Sequence, residues 1–190
     1  MDMLSAYSAV NQGHRHPRII KALKDQADEL TLTSRAFYSD RWPLFAKKLS
    51  ELTGKDMILP MNTGAEAVET AIKTMRKWGY LVKGVEKDKA EIIVFEDNFH
   101  GRTVTIVSFS VDPIARDNYG PYTPGFVVVP YDDLEAVMKA VNKNTVGILV
   151  EPIQGEAGVA VPSEGFLKGL EKIARENNVL LAVDEIQTGL

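Results

Sequence analysis

In the second half of the chain, short unbroken apolar runs alternate with stretches that carry apolar residues at helical spacing. The runs at 92–95 (Ile-Ile-Val-Phe), 126–129 (Phe-Val-Val-Val), 146–150 (Val-Gly-Ile-Leu-Val) and 179–183 (Val-Leu-Leu-Ala-Val) are rich in β-formers and predict strands. Between the second and third, Asp132 and Asp133 can cap a helix whose stripe is Leu134, Val137, Met138 and Val141. Between the third and fourth, Ser163 is placed to open a helix with Phe166, Leu167, Leu170, Ile173 and Ala174 on one face, ended by Asn177 and Asn178. Runs that are apolar throughout, rather than alternating, predict strands covered on both faces. The fold class is therefore α/β, a mostly parallel sheet with helices on both faces.

The first sixty residues have a different texture, with helices expected around 18–30 and 42–52 and loops between them. No internal repeat or low-complexity tract interrupts the chain, and 83–89 reads as a charged surface turn. With 190 residues, 45% hydrophobic and 25% charged, the composition is that of a globular protein able to bury a core. The net charge of −4, with both signs interspersed, offers no basic stripe for nucleic acid. Cysteine is absent, so disulfides, thiolate metal sites and cysteine nucleophiles play no part. No window approaches the ~20 apolar residues of a membrane span, and the N-terminus lacks a cleavable-signal pattern. A soluble, cytoplasmic protein is expected.

In open parallel sheets, ligands bind beyond the carboxyl ends of the strands, and four segments draw attention on that ground. Residues 60–66 (Pro-Met-Asn-Thr-Gly-Ala-Glu) open a helix with the stripe Val68, Ile72 and Met75; its free N–H groups could seat a phosphate, with Gly64 allowing close approach. A plain capping box of Thr63 with Glu66 explains most of the same residues. The spacing is neither that of a nucleotide P-loop nor that of a dinucleotide fold. Residues 97–103 (Asp-Asn-Phe-His-Gly-Arg-Thr) supply a ring to stack on a planar ligand and a guanidinium to grip a carboxylate, or else a surface turn anchored by one Phe. Residues 151–158 (Glu-Pro-Ile-Gln-Gly-Glu-Ala-Gly) could bind a metal or an amine, but a solvated turn is the favoured reading of that segment alone. Residues 183–189 (Val-Asp-Glu-Ile-Gln-Thr-Gly) place Asp184 at the end of an apolar strand, where a carboxylate needs a cation or strong donor. A protonated ring nitrogen, a structural Arg or a Mg²⁺ ion would each serve.

Together and in this order, the four segments resemble the class III aminotransferases of the pyridoxal-phosphate (PLP) fold-type I superfamily, and the likeness covers essentially the whole chain. Each segment is weakly specific alone; the set is highly specific. Residues 5–14 and 33–38 resemble the ornithine branch of the class more than its acetylornithine or 4-aminobutyrate branches. The resemblance implies that residues 1–50 form a helical and loop segment leading into a large domain, and that 51–190 are part of that PLP-binding domain, incomplete as it stands. It implies pyridoxal 5'-phosphate as cofactor, no metal, ornithine and 2-oxoglutarate as substrates, and a homodimer or larger assembly.

By the same resemblance, the cofactor phosphate would rest on Gly64 and Ala65 beside Thr63, with Phe99 stacked on one ring face and Ile186 packed on the other. Asp184 would pair with the pyridinium nitrogen, making the ring an electron sink, and Gln187 would bond its phenolic oxygen. Arg102 would clamp a substrate carboxylate in both half-reactions, Glu156 would gate the site, and Tyr7 would line its substrate end. The family's Schiff-base lysine lies C-terminal to the Asp-Glu-Ile-Gln segment, and none of the lysines here has the small-residue, strand-end setting it needs. The expectation is a fragment of such an enzyme, inactive by itself, with a non-catalytic remnant and another class III enzyme as the competing readings.

Overall fold

A computed structural model of the chain describes residues 2–34 and 36–189. Arg35, part of the 33–38 stretch singled out above, lies outside the described residues. The chain divides into two units, residues 1–60 and 61–190.

The first unit is helical. A single kinked turn, α1 (Ser5–Ser8), has Ala6 and Tyr7 at left-handed φ and is followed by α2 (Pro17–Glu29) and α3 (Arg41–Thr53). Pro17 at the first turn of α2 costs no hydrogen bond there. Gly54, at φ 67°, closes α3 in the left-handed conformation. Arg41 on α3 reaches Glu29 on α2 at 2.8 Å, but the apolar stripe residues Leu23, Leu44 and Phe45 remain exposed.

The second unit contains α4 (Gly64–Trp78), a π-helical turn at Gly79–Lys83, β1 (Glu91–Phe95), the short helices α5 (Val104–Val107) and α6 (Pro113–Arg116), β2 (Phe126–Val129), α7 (Leu134–Ala140), β3 (Thr145–Val150), α8 (Phe166–Glu176) and β4 (Leu180–Val183). The four strands pair in parallel in the order β2-β1-β3-β4. From β1 the chain moves outward to β2, returns to the other side of β1 as β3, and continues outward to β4. The point where the direction reverses lies between β1 and β3, and loops leaving those two strands diverge to open a crevice.

Two apolar layers cover the sheet. On one face Val68, Ile72 and Met75 of α4 pack with Ile92 and Val94; on the other, Val137 of α7 and Phe166, Leu170 and Ile173 of α8 pack with Ile93, Phe95 and Ile148. The central strands are buried on both faces as expected, but the outer strands are not: Val128 is 39% exposed and Val183 42%. Helices from one chain segment are too few to cover the edges of the sheet.

Helix α4 lies flush on β3. A Cβ on Gly147 would stand 2.1 Å from Met75 Sδ, and one on Gly79 would stand 2.2 Å from Val146 Cγ1. The end of α4 therefore meets the start of β3, which leaves its N-terminus at the carboxyl edge of the sheet.

Three local expectations are corrected. Asp133 caps α7 by accepting from Ala136 N–H at 2.9 Å, but Ser163 does not cap α8; Gly165, at φ 93°, precedes that helix. Ser163 instead donates to Asp132, Oγ to Oδ1 at 2.8 Å, tying the two loops together. Met138 is 64% exposed because it lies about 100° around the helix from Val137 and reaches the rim of the buried stripe. The 83–89 segment is more than a charged surface turn: Lys83 Nζ donates to the carbonyls of Thr145 at 2.6 Å and Asn177 at 3.2 Å, and Val85 is buried. Partial burial pulls the Lys83 pKa below its ordinary value. Among the described residues, no helix is long and apolar enough to cross a membrane.

Candidate active site

Parallel pairing brings the segments after β1, β3 and β4 to one edge of the sheet, and α4 delivers its N-terminus to the same edge. The four segments picked out by chemistry thus share one location.

At the head of α4, Thr63 is extended and its Oγ1 accepts from Glu66 N–H at 3.1 Å. Glu66 in turn accepts from Asn62 N–H at 2.8 Å, one residue earlier than a reciprocal capping box requires. Helix geometry gives the N–H groups of Gly64 and Ala65 no intrahelical acceptor, so they remain donors at the positive end of the helix dipole. The cap and the anion seat are compatible, because the cap occupies Glu66 N–H and leaves the two preceding amides. A Cβ on Gly64 would lie 3.5 Å from the Ile186 side chain, so that seat and Ile186 face each other across a narrow gap. Ile186 is 69% exposed, an apolar surface mostly open to solvent.

Asp184 follows β4 and its N–H continues the ladder to Val150 O at 2.8 Å. Its Oδ2 lies 2.7 Å from Nδ1 of His100, a pair that is 11% and 1% exposed in its side chains. Its Oδ1 accepts from Ile186 N–H at 3.2 Å. The partner that a buried carboxylate needs is therefore partly internal: His100, which sequence reasoning placed in a motif without assigning it a role. Each carboxylate oxygen has a further lone pair, so Asp184 can still accept from a cationic ring nitrogen.

The 151–158 segment is a solvated turn only in its second half, where 156–158 are exposed; its first half is buried or half-buried. Glu151 is 8% exposed and Gln154 2%. Gln154 Nε2 donates to Glu96 O at 2.7 Å, and Gln154 pairs with Ala160 in an antiparallel bridge. Tyr131 Oη donates to Glu151 O at 3.0 Å and to Pro152 O at 3.1 Å, and burial pushes the Tyr131 pKa up to about 12, with the negative charge of Glu151 adding to the effect. Glu151 Oε1 accepts from Phe99 N–H at 2.9 Å. Burial raises the Glu151 pKa above the usual carboxylate range, against the opposing pull of that hydrogen bond. Sequence reasoning included Glu151 only as one of two carboxylates in a segment able to bind a metal or an amine and gave it no role of its own, although it carries the signal used for Asp184, a carboxylate directly following an apolar strand. Gly155 closes onto Gln187: a Cβ there would meet Gln187 Oε1 at 2.5 Å.

Gly101 packs against the first turn of α4, which draws Phe99 and Arg102 alongside the anion seat. Phe99 is half-buried, and the Arg102 guanidinium stands 5.6 Å from its ring centroid. Arg102 and Glu156 both line a cavity of about 830 Å³, together with Phe99 and an apolar wall of Val104, Val107, Val111 and Ile114. Asp184, Ile186 and Gln187 are not among its lining residues. The predicted residues thus fall into two adjoining groups. Gly64 faces Ile186 across the gap at α4, Asp184 and Gln187 flank Ile186 in the chain, Arg102 and Glu156 border the cavity, and Phe99 belongs to the cavity wall while its neighbour His100 holds Asp184. Tyr7 lies in the first unit and is 74% exposed.

Chemically, the first group suits a planar ligand that carries an anion at one end and a protonated ring nitrogen at the other. The second suits a carboxylate tethered to a short aliphatic chain. The sequence profile of the family described as aminotransferase class III matches residues 1–190. The chain is 64% identical over 189 residues to the ornithine aminotransferase of Brevibacillus brevis and 60% over 190 to that of Bacillus subtilis, with 100% of this chain and 47% of each relative aligned. Among solved structures, the ornithine aminotransferase of Toxoplasma gondii superposes with a TM-score of 0.97 at 48% identity, over 100% of this chain and 45% of that one. The acetylornithine aminotransferase of Elizabethkingia anophelis gives 0.82 at 56% identity, over 99% and 46%. The chain spans about half the length of the curated relatives it matches.

Proposed function

The chain belongs to the class III aminotransferases, and from that premise we propose that the whole protein uses PLP to transfer the δ-amino group of ornithine to 2-oxoglutarate, giving glutamate semialdehyde and glutamate. The observation that carries the reading is the buried Asp184–His100 pair, with Asp184 two residues along the chain from the exposed Ile186, which faces Gly64 at the N-terminus of α4. A buried carboxylate with spare acceptor capacity, an anion seat and an exposed apolar side chain fit the nitrogen, phosphate and ring of PLP.

PLP, when bound, supplies an electron sink for the electrons released as a substrate C–H bond loses its proton. The residues of this chain bind and orient. Gly64 and Ala65 donate N–H groups to the phosphate, with Thr63 beside them. Asp184 holds a proton on the ring nitrogen by placing a fixed negative charge against it, and His100 keeps that carboxylate in position. Phe99 and Ile186 exclude water from the ring faces, and Gln187, shaped by Gly155, bonds the ring oxygen. Arg102, which lines the cavity, grips the substrate carboxylate, and Glu156, which lines it too, acts as the gate. The reading includes a homodimer, which the exposed apolar positions of α2 and α3 suit.

A second reading, an acetylornithine-type enzyme, is favoured by the 56% identity to the Elizabethkingia anophelis protein. Assaying the whole protein with ornithine and with N-acetylornithine, each against 2-oxoglutarate, separates the two. Turnover with N-acetylornithine alone would overturn the ornithine assignment, and turnover with neither would overturn both readings.

A further inference from the structure

We propose that Glu151 is a positioning residue of the site, whose carboxylate pins the main chain of Phe99 and so fixes where the Phe99 ring lies. The inference rests on the PLP reading above for its consequence, but on geometry for its cause. Glu151 is the first residue after β3, and Phe99 lies four residues beyond the end of β1, so the hydrogen bond between them, 2.9 Å long, bridges the two loops that diverge at the crevice.

The anchor is itself held. Tyr131 Oη grips the Glu151 carbonyl, and the Tyr131 ring packs edge-on against Phe95 and Phe166, with centroids 5.8 Å and 5.3 Å away, so the pin is fastened to the core. On the other side of Phe99, His100 bonds Asp184. The Phe99 main chain is therefore restrained from both directions, while its half-buried side chain projects into the site. A backbone carbonyl could satisfy one amide without burying an acid. Retaining a carboxyl that is 8% exposed, and whose ionisation burial opposes, indicates that the location of this acceptor matters.

The test uses the full-length protein with PLP and two substitutions, Glu151→Gln, which keeps an oxygen acceptor of the same reach, and Glu151→Met, which keeps length without it. PLP affinity is measured by equilibrium titration, ring placement by the visible circular dichroism of bound PLP, and the pin itself by hydrogen exchange of the Phe99 amide. Glu151→Gln is expected to stay within about threefold of the unaltered protein in Kd with the amide still protected, and Glu151→Met to lose about tenfold in Kd, weaken the visible band and speed Phe99 exchange about tenfold. Unchanged Kd and exchange in Glu151→Met would overturn the proposal. So would Glu151→Gln behaving like Glu151→Met, since charge rather than acceptor position would then be at work. If Glu151→Met does not fold, Glu151→Gln decides alone: preserved affinity and protection support the pin, and tenfold losses overturn it. Failure of the unaltered protein to bind PLP would instead overturn the proposed function, and rapid exchange of its Phe99 amide would overturn the pin.

Discussion

Replacing Gly101 with alanine loads two separable costs onto the contact that joins the Phe99–Arg102 segment to the head of α4. Gly101 has φ +119°, and an added Cβ would stand 2.8 Å from Ala65 Cβ and 3.3 Å from Ile106 Cδ1. Holding an L-residue in that backbone region costs about 1–3 kcal/mol. Separating two Cβ atoms, neither of which can rotate away, adds roughly 1–3 kcal/mol of overpacking. The sum, about 2–6 kcal/mol, is a large part of the ~5–15 kcal/mol that stabilises a typical protein. Relief requires the Gly101 loop and the first turn of α4 to move apart, which also displaces the Gly64 and Ala65 amides. In the full-length protein, Gly101→Ala should therefore lower both the thermal midpoint of the apoprotein and its affinity for PLP. Adding Ala65→Gly removes one of the two clashing methyls and should recover the packing share but not the dihedral share. Unchanged stability and affinity in Gly101→Ala would refute the reasoning, and no recovery in the double variant would refute its packing half.

Asp184→Asn in the full-length protein should retain PLP but lower turnover on the order of 100-fold, because an amide does not stabilise a protonated ring nitrogen; near-normal turnover would refute the assignment. Arg102→Lys should raise the KM for ornithine and for 2-oxoglutarate alike, by about tenfold, because a lysine cannot reproduce a bidentate grip, and steady-state kinetics showing a change for only one substrate would remove the shared clamp. The raised pKa of Glu151 makes its contribution to stability fully present at acid pH, below its unfolded value, and progressively lost as pH rises through its folded value. Thermal melts of Glu151→Gln should accordingly gain on the unaltered protein as pH rises from acid to neutral, and a difference independent of pH would refute that coupling.

The strands, their parallel pairing and the helices on both faces were legible in the sequence because unbroken β-rich runs and 3.6-residue stripes report burial locally. The motif segments were legible for a related reason: a carboxylate or a glycine-opened helix at the end of an apolar run violates the local pattern. Tertiary structure alone decided which of these residues meet. His100 and Asp184 are 84 residues apart, and Phe99 and Glu151 are 52. Nothing in either neighbourhood specifies its partner; the strand order β2-β1-β3-β4 does, by aligning the ends of β1, β3 and β4 along one edge. The same holds for Ser163, whose sequence context favours a helix cap but whose hydroxyl donates to Asp132, 31 residues away. Periodicity encodes how much of a residue is buried, whereas the partner of a buried polar group depends on which chain segments the sheet brings within about 3 Å, a distance set by long-range packing.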